Sequence, residues 1–252
     1  MRLLLLLLTL SLAWGQKAAP PTAAQVLQRS VDAMGGSDAY AKVKSVTMTG
    51  AMEMKAQNVR GEVKMYRVEG GKYYVVIDLP GIGKQEDGSD GTTAWDKTIL
   101  GPRIKTGAEK FQAVCSKSAM SEFGPAGPDM DSCYSKVEFS GETTVDGKAA
   151  YKLTLTPREG KPEEQYYDKS NYLLLRTKKI LPSPMGEVET LTLIDEYKKI
   201  DGMLSPVKMT TRMGAVEMTM TFSSILFNEK LPSEMFVLPP EIQALVDSKG
   251  GK

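Results

Sequence analysis

The stretch AVEMTMTFSSILFN, residues Ala215 to Asn228, decides the fold class. Val216, Met218, Met220 and Phe222 fall on one parity; Glu217, Thr219, Thr221 and Ser223 fall on the other. Period two marks a β-strand with one apolar and one wet face, because successive side chains point to opposite sides. The functional question is what the apolar face looks at. A packed core favours Val, Ile and Leu, whose rotamers are well defined. Two methionines in one stripe suit a surface that adapts to something.

The same period runs through most of the chain. VTMTGAMEM puts Val46, Met48, Met52 and Met54 on one face, and GEVKMYRV alternates Val63 and Met65 with charged residues. KYYVVIDL places Tyr73, Val75, Ile77 and Leu79 together. GIGKQEDGSDGTTAWDKTILG reads as two short polar strands around a Gly/Asp turn. The second half predicts strands over Lys136–Thr144, Ala149–Thr156, Glu164–Asp168, Tyr172–Ile180, Val188–Ile200, Ser205–Met213 and Ala215–Phe227. Junctions such as DGK, DKSN, DG and MG suit tight antiparallel turns.

Helical signals are few. In TAAQVLQRSVDAMGG, Thr22 and Gln25 fit a capping box, Val26, Leu27, Val31 and Met34 recur at helical spacing, and Gly35 is a natural stop. SDAYAKV adds a turn, with Ser37 as N-cap. TGAEKFQAVCSKSAMSEFG interrupts the strands; Thr106 and Glu109 fit a second capping box, Phe111, Val114, Cys115 and Ala119 form a stripe, and Gly124 ends it. PPEIQALVDSK predicts a short closing helix with Pro240 at its first position. Ten or eleven strands on hairpin-length connections predict one curved antiparallel sheet, not a βαβ fold. The central helix then packs on a sheet face. No composition shift marks a domain boundary, so one domain over residues 16–252 is expected.

The chain opens MRLLLLLLTLSLAWGQ: a basic Arg2, an apolar run Leu3–Leu12 and a small-x-small site at Ala13-Trp14-Gly15. That is the form of a secretory signal peptide over residues 1–15, and the apolar run is too short for a membrane span. Its removal leaves about 237 of the 252 residues and takes one of the 32 basic residues, matching 31 acidic ones. A near-neutral balance gives no argument for nucleic acid.

There are no histidines. That removes the usual general base, the usual zinc ligand and any Ser-His-Asp triad, and it points away from hydrolytic enzymes. Cys115 and Cys133 are an even pair in a secreted chain. They suggest a disulfide closing a loop of about 19 residues; two buried free thiols are the alternative. KTG at Lys105–Gly107 and SPVK at Ser205–Lys208 resemble motifs of penicillin-recognising enzymes, but their order along the chain is reversed and Ser205 opens a strand. Gly81–Gly88 lacks phosphate-loop spacing, and Asp87, Asp90, Asp129 and Asp131 do not match an EF-hand loop. No metal or cofactor is expected.

The methionines remain. Of 15, Met48, Met52, Met54, Met65, Met209, Met213, Met218 and Met220 lie in predicted strands on the apolar parity. Singly, each is a gap-filler under a helix. As a set they also fit a flexible apolar lining, which Val63, Val75, Ile77, Val216 and Phe222 would complete.

Several segments together resemble the bacterial outer-membrane lipoprotein-sorting family, the LolA/LolB-like proteins. A signal peptide is followed by a helix ending DAMGG and by AYAKVKSVTMTG. Then come GTTAWDKT, QYYDKSNYLLLRTKKI, LIDEYKKIDGMLSPVKM and the closing FSSILFNEKLPSEMFVLPP. The Pro-rich loop around Gly124–Asp131 looks like an insertion. The resemblance implies a mainly β (α+β) fold: an unclosed half-barrel of about eleven antiparallel strands under a lid of short α-helices, with an apolar cavity for acyl chains between them. The lid would be the helices over Ala23–Met34 (Val26, Leu27, Val31, Met34) and Glu109–Phe123 (Phe111, Val114), and a Cys115–Cys133 bridge would limit the second helix's excursion.

Such a carrier needs no catalytic group. Burying a methylene is worth about 0.8 kcal/mol, so a ~16-carbon chain gains on the order of 10 kcal/mol gross before ordering costs. The leading expectation is a monomeric periplasmic carrier for lipid or lipoprotein acyl chains, working with membrane-bound donor and acceptor proteins. The rivals are an envelope sensor or interaction domain on the same fold, and an enzyme using carboxylates without histidine.

Overall fold

The computed structural model describes residues 19–120, 130–183 and 186–250. The expected signal peptide and most of the Pro-rich loop lie outside these residues.

The first helix, α1 (Ala23–Met34), is capped as its sequence dictates. The Gln25 amide donates to Thr22 Oγ1 at 3.2 Å and the Thr22 amide donates to Gln25 Oε1 at 2.8 Å. Gly35, at φ 132°, ends it in a conformation that residues with a Cβ rarely adopt. In α2 (Ser37–Ala41), Ser37 is the first helical residue and Gly36 holds the cap position, one place earlier than expected.

Six strands follow: β1 (Ser45–Met54), β2 (Val59–Val68), β3 (Lys72–Leu79), β4 (Gly83–Asp90), β5 (Ala94–Thr98) and β6 (Gly101–Ile104). After α3 (Gly107–Val114) and α4 (Met130–Cys133) come β7 (Tyr134–Val145), β8 (Lys148–Pro157), β9 (Glu163–Asp168), β10 (Leu174–Ser183), β11 (Gly186–Ile200), β12 (Met203–Met213) and β13 (Val216–Phe227), and α5 (Pro240–Gly250) ends the chain. All thirteen strands form one antiparallel sheet in the order β6-β5-β4-β3-β2-β1-β13-β12-β11-β10-β9-β8-β7. The sheet is open, with β6 and β7 as its edges. The expectation of about eleven strands falls short partly because β6 is illegible in sequence. Its four residues include Pro102, which has no N–H for a ladder and is tolerated at a sheet edge.

Two meanders, β1–β6 and β7–β13, meet where β1 pairs with β13. That pairing carries a bulge: Thr49 faces Ser224 and Gly50 faces Phe222, leaving Ser223 as the extra residue. The bulge explains a change of parity. Phe222 points into the core, and so do Ile225 and Phe227 on the odd positions after it. It also demands glycine at position 50, where a Cβ would lie 2.7 Å from Phe222 Cα.

The main core lies beneath this junction and joins Met34, Val46, Met48, Val63, Met203, Phe222 and Ile225. A second core holds α1 down, with Val26 and Leu27 against Leu153, Leu155, Tyr167 and Leu174. Full burial of each such aliphatic side chain is worth about 1.5–3 kcal/mol. The closing helix begins at Pro240 as expected, buries Ile242, and is tied to β5 by Lys97 Nζ and Glu241 Oε1 at 2.5 Å.

Residues 105–133 join β6 to β7 and so link opposite edges of the sheet. The helix expected over Thr106–Gly124 is shorter there, since α3 stops at Val114. Its expected capping box does not form. Thr106 makes no side-chain cap bond, and Glu109 instead accepts from Arg103 Nη1 and Nη2 at 2.8 and 2.5 Å. Beyond the helix, Ala119 and Met120 leave its axis to bury in the main core. Cys115 and Cys133 form a disulfide, S–S 2.10 Å, 18 residues apart.

Two outcomes are expected from this architecture. Reducing Cys115–Cys133, or the pair C115S/C133S, lowers stability by about 3 kcal/mol in the chain-entropy view, read as a lower urea midpoint at constant slope. Gly50→Ala destabilises by about 2 kcal/mol through overpacking against the bulge, read as a lower thermal midpoint.

Candidate functional site

Of the described residues between β6 and β7, α3, residues 115–120 and α4 lie against one face of the sheet. Between them and the sheet lies a cavity of about 640 Å³. Phe111, Gln112 and Ala113 of α3, together with Cys115, Met120, Met130 and Cys133, form its roof. The size falls within the ~300–1,000 Å³ typical of small-molecule pockets. A smaller pocket of about 30 Å³ adjoins it and shares Met65, Val75 and Met120.

The floor is read from strand register. Ile194, Met209, Met220 and Met52 are cross-strand neighbours on β11, β12, β13 and β1. The first three line the cavity, as do Leu174, Met65 and Val75. This row is apolar and rich in unbranched side chains. Two residues further along each strand, about 7 Å away, the row changes character. Gln165, Thr177, Thr192 and Thr211 are neighbours across β9, β10, β11 and β12, and all line the cavity. Thr192 and Thr211 share a hydroxyl hydrogen bond of 3.1 Å.

The next row holds Lys179 opposite Thr190, with Glu163 beside Lys179 at 2.9 Å. Glu163 also accepts from Tyr134 Oη at 2.6 Å and Gln165 Nε2 at 3.1 Å, so this nearly buried carboxylate has three donors. Burial, and then the adjacent Glu163, push the Tyr134 phenol well above its ordinary pKa, so it stays a donor. Burial does the same for Tyr167, whose hydroxyl bonds Gln165.

The opposite wall is ionic. Lys105 pairs with Asp87, and Lys105 Nζ lies 3.4 Å from Tyr73 Oη. Arg103 bridges Asp96 of β5 and Glu109 of α3, with nearest contacts of 2.6 and 2.5 Å. The Arg103 hydrogen bonds hold the Glu109 carboxyl below its ordinary pKa, while burial raises Asp96 against the pull of Arg103 and Lys105. Through Arg103, the roof helix is latched to the sheet. Among the described residues, no group of three His, Cys, Asp or Glu side chains is arranged to hold a metal ion.

The residues singled out from sequence divide into three groups. Met65, Val75, Met209, Met220 and Phe111 line the cavity. Met48, Val63, Phe222 and Met34 are core residues beneath it, with Ile77 packed against them, and Met52 is buried too. Met54, Val216, Met218 and Val114 are half-buried, while Val26, Leu27 and Val31 bury the inner face of α1. No α1 residue lines the cavity, so its roof comes from the β6–β7 crossing. The polar rows, Thr177, Lys179, Thr190, Thr192 and Thr211, were not singled out from sequence. Their signal was present in β11: in TLTLID, Thr190, Thr192 and Ile194 face the cavity, and Leu191 and Leu193 take the opposite parity.

No protein-family model and no curated protein matches the sequence. Solved structures do match the fold. A DUF1329 family protein from Desulfovibrio piger is 17% identical, with TM-score 0.57 over 85% of this chain and 97% of its own. A LolA superfamily protein from Nitrosomonas europaea is 12% identical, with TM-score 0.57 over 87% and 99%. A protein assigned as an outer membrane lipoprotein-sorting protein domain, from Vibrio parahaemolyticus, is 15% identical, with TM-score 0.56 over 85% and 97%. At these identities the likeness is one of fold: the chain shares the fold of these LolA-like structures.

Proposed function

We propose that this protein is a periplasmic carrier that holds the acyl chains of a lipid or lipoprotein in the cavity beneath the β6–β7 crossing. The observation that carries the reading is a roofed cavity of about 640 Å³ with an Ile194–Met209–Met220 floor. Unbranched Met side chains re-pack around chains of different length and unsaturation at little cost. The site acts by burial alone, and its cargo leaves unchanged. The LolA-like fold and the signal-peptide form of residues 1–15 support the same reading.

Transfer requires the roof to yield. α3 is held by the Arg103–Glu109 latch, and the disulfide ties the residue after α3 to the residue before β7. Opening then begins with loss of the latch. A receiver that binds the cargo more tightly completes the transfer.

Native mass spectrometry of gently purified mature protein, followed by solvent extraction, tests the reading first. Co-purifying lipid or lipopeptide is the expected result. Met220→Lys, which places a charge on the cavity floor, abolishes it and weakens uptake of a fluorescent fatty acid at least tenfold while the protein stays folded. A clean apo mass together with no uptake by the wild type sinks the proposal. The latch gives a second outcome. Because Glu109 is held below its ordinary pKa, its contribution is complete above about pH 4.3 and is lost as pH falls through the depressed value. Arg103→Ala therefore speeds release of the bound fatty acid about fivefold at pH 7, and strong acid speeds release from the wild type but adds little to the variant; stopped-flow fluorescence separates the two.

A further inference from the structure

The methionines of β1 and β13 are not all used by the cavity. Two Met-x-Met runs, MEM at Met52–Met54 and MTM at Met218–Met220, lie on these paired strands. Met52 is directly opposite Met220, and the next position of the same register sets Met54 beside Met218. The four side chains therefore leave one face of the sheet, at the corners of a rectangle of about 5 by 7 Å. Met52, Met54 and Met218 belong neither to the main core cluster nor to the cavity lining, so neither packing role accounts for them. Strand preference does not call for them either, since Val and Ile suit a half-buried strand better than an unbranched side chain.

The surroundings of the rectangle are soft. Glu53 and Thr219, between the methionines, point to the opposite face. There Glu53 pairs with Arg60 at 3.3 Å and Thr219 shares a hydroxyl hydrogen bond of 3.1 Å with Thr210. On the methionine face the flanking positions are Val59 and Gly61 of β2 and Met209 and Thr211 of β12, none of them charged. The chain has no histidine, and Cys115 and Cys133 are joined in the disulfide. Met52 is buried, while Met54, Met218 and Met220 are half-buried and leave a way in. We infer that MEM and MTM together bind Cu(I). Thioether sulfur is a soft, neutral donor. With no thiolate, imidazole or carboxylate beside it, an all-thioether set favours Cu(I) over Zn(II) and over the hard cations. Each methionine turns about three side-chain bonds, so sulfurs from the four corners close on one ion without moving the backbone. The site adjoins the cavity at Met220 but does not depend on the carrier reading.

The test is an anaerobic Cu(I) titration of the intact mature protein, with ascorbate as reductant and bicinchoninate as competing chelator. A single Cu(I) per chain is expected to be held against the chelator, with X-ray absorption showing a first shell of sulfur alone. Ellman's reagent finds no free thiol in the loaded protein, so the disulfide stays closed and the sulfur is thioether. Excess Zn(II) leaves the Cu(I) in place. M218L/M220L, a swap that nearly conserves volume, weakens binding by more than the ~10–100-fold that loss of an outer-shell partner costs. Met54→Leu weakens it less, Met203→Leu in the main core leaves it unchanged, and melting curves show each variant folded. Bicinchoninate that strips Cu(I) equally from the wild type and M218L/M220L overturns the inference. So does a shell of nitrogen or oxygen, and so does the appearance of free thiols with the bound metal.

Discussion

The antiparallel pairing of β1 with β13 is the contact on which the molecule depends. It joins residues such as Val46 and Phe227, from near the two ends of the chain. Each meander is joined internally by hairpins, whereas the main core draws on both. Met48, Val63, Phe222 and Ile225 share one cluster only because the two halves meet. Long-range pairings of this kind carry the loop-closure cost that local contacts avoid, so the junction has to be stabilised by what it buries. The Ser223 bulge and Gly50 belong to the same solution, adding curvature where the halves join.

Once the sheet is continuous, its two edge strands, β6 and β7, are consecutive in the chain yet stand at opposite ends of the strand order, so the segment between them must link the two edges. That segment becomes the roof. The crossing from β6 to β7 needs only a short helix, a latch and a disulfide to cover the concave face. Arg103 is the economical part of this arrangement, because one guanidinium binds a sheet carboxylate and a helix carboxylate together. Both Glu109 carboxylate oxygens accept from Arg103, so the return half of the capping box is missing at the start of α3.

The cavity that results is not uniformly greasy. Its rows pass from Ile194–Met209–Met220 through the threonines to Lys179 and Glu163, over a few residues of strand. Such a gradient matches an amphiphile better than a plain hydrocarbon. It also accounts for the outside of the sheet, where Leu175 and Leu193 pack with Val145, Ala150 and Tyr166 into a small cluster of their own. Hydrophobic residues displaced from the cavity wall found cover on the other face, and Arg176 stacks 4.0 Å from the centre of the Tyr166 ring above them.

Much of this was legible in the residues alone. Period-two stripes at Val46–Met54, Val63–Met65 and Val216–Phe222, the Thr22–Gln25 capping box, Gly35 and Pro240 set the strands and the helix ends, because alternation and capping are local physics. Alternation says which residues share a face, not what that face meets. Only the register of β1 with β13 and of β9 through β12 decided which methionines are core and which are floor, and put the threonines of TLTLID on the inside. The partner of Glu109 and the short edge strand at Pro102 were likewise matters of tertiary contact. The sequence by itself determined a curved antiparallel sheet with adaptable apolar faces. The tertiary structure decided where the cavity lies and how its polarity is graded, since both depend on which strands become neighbours, and that is fixed by burial across the whole chain.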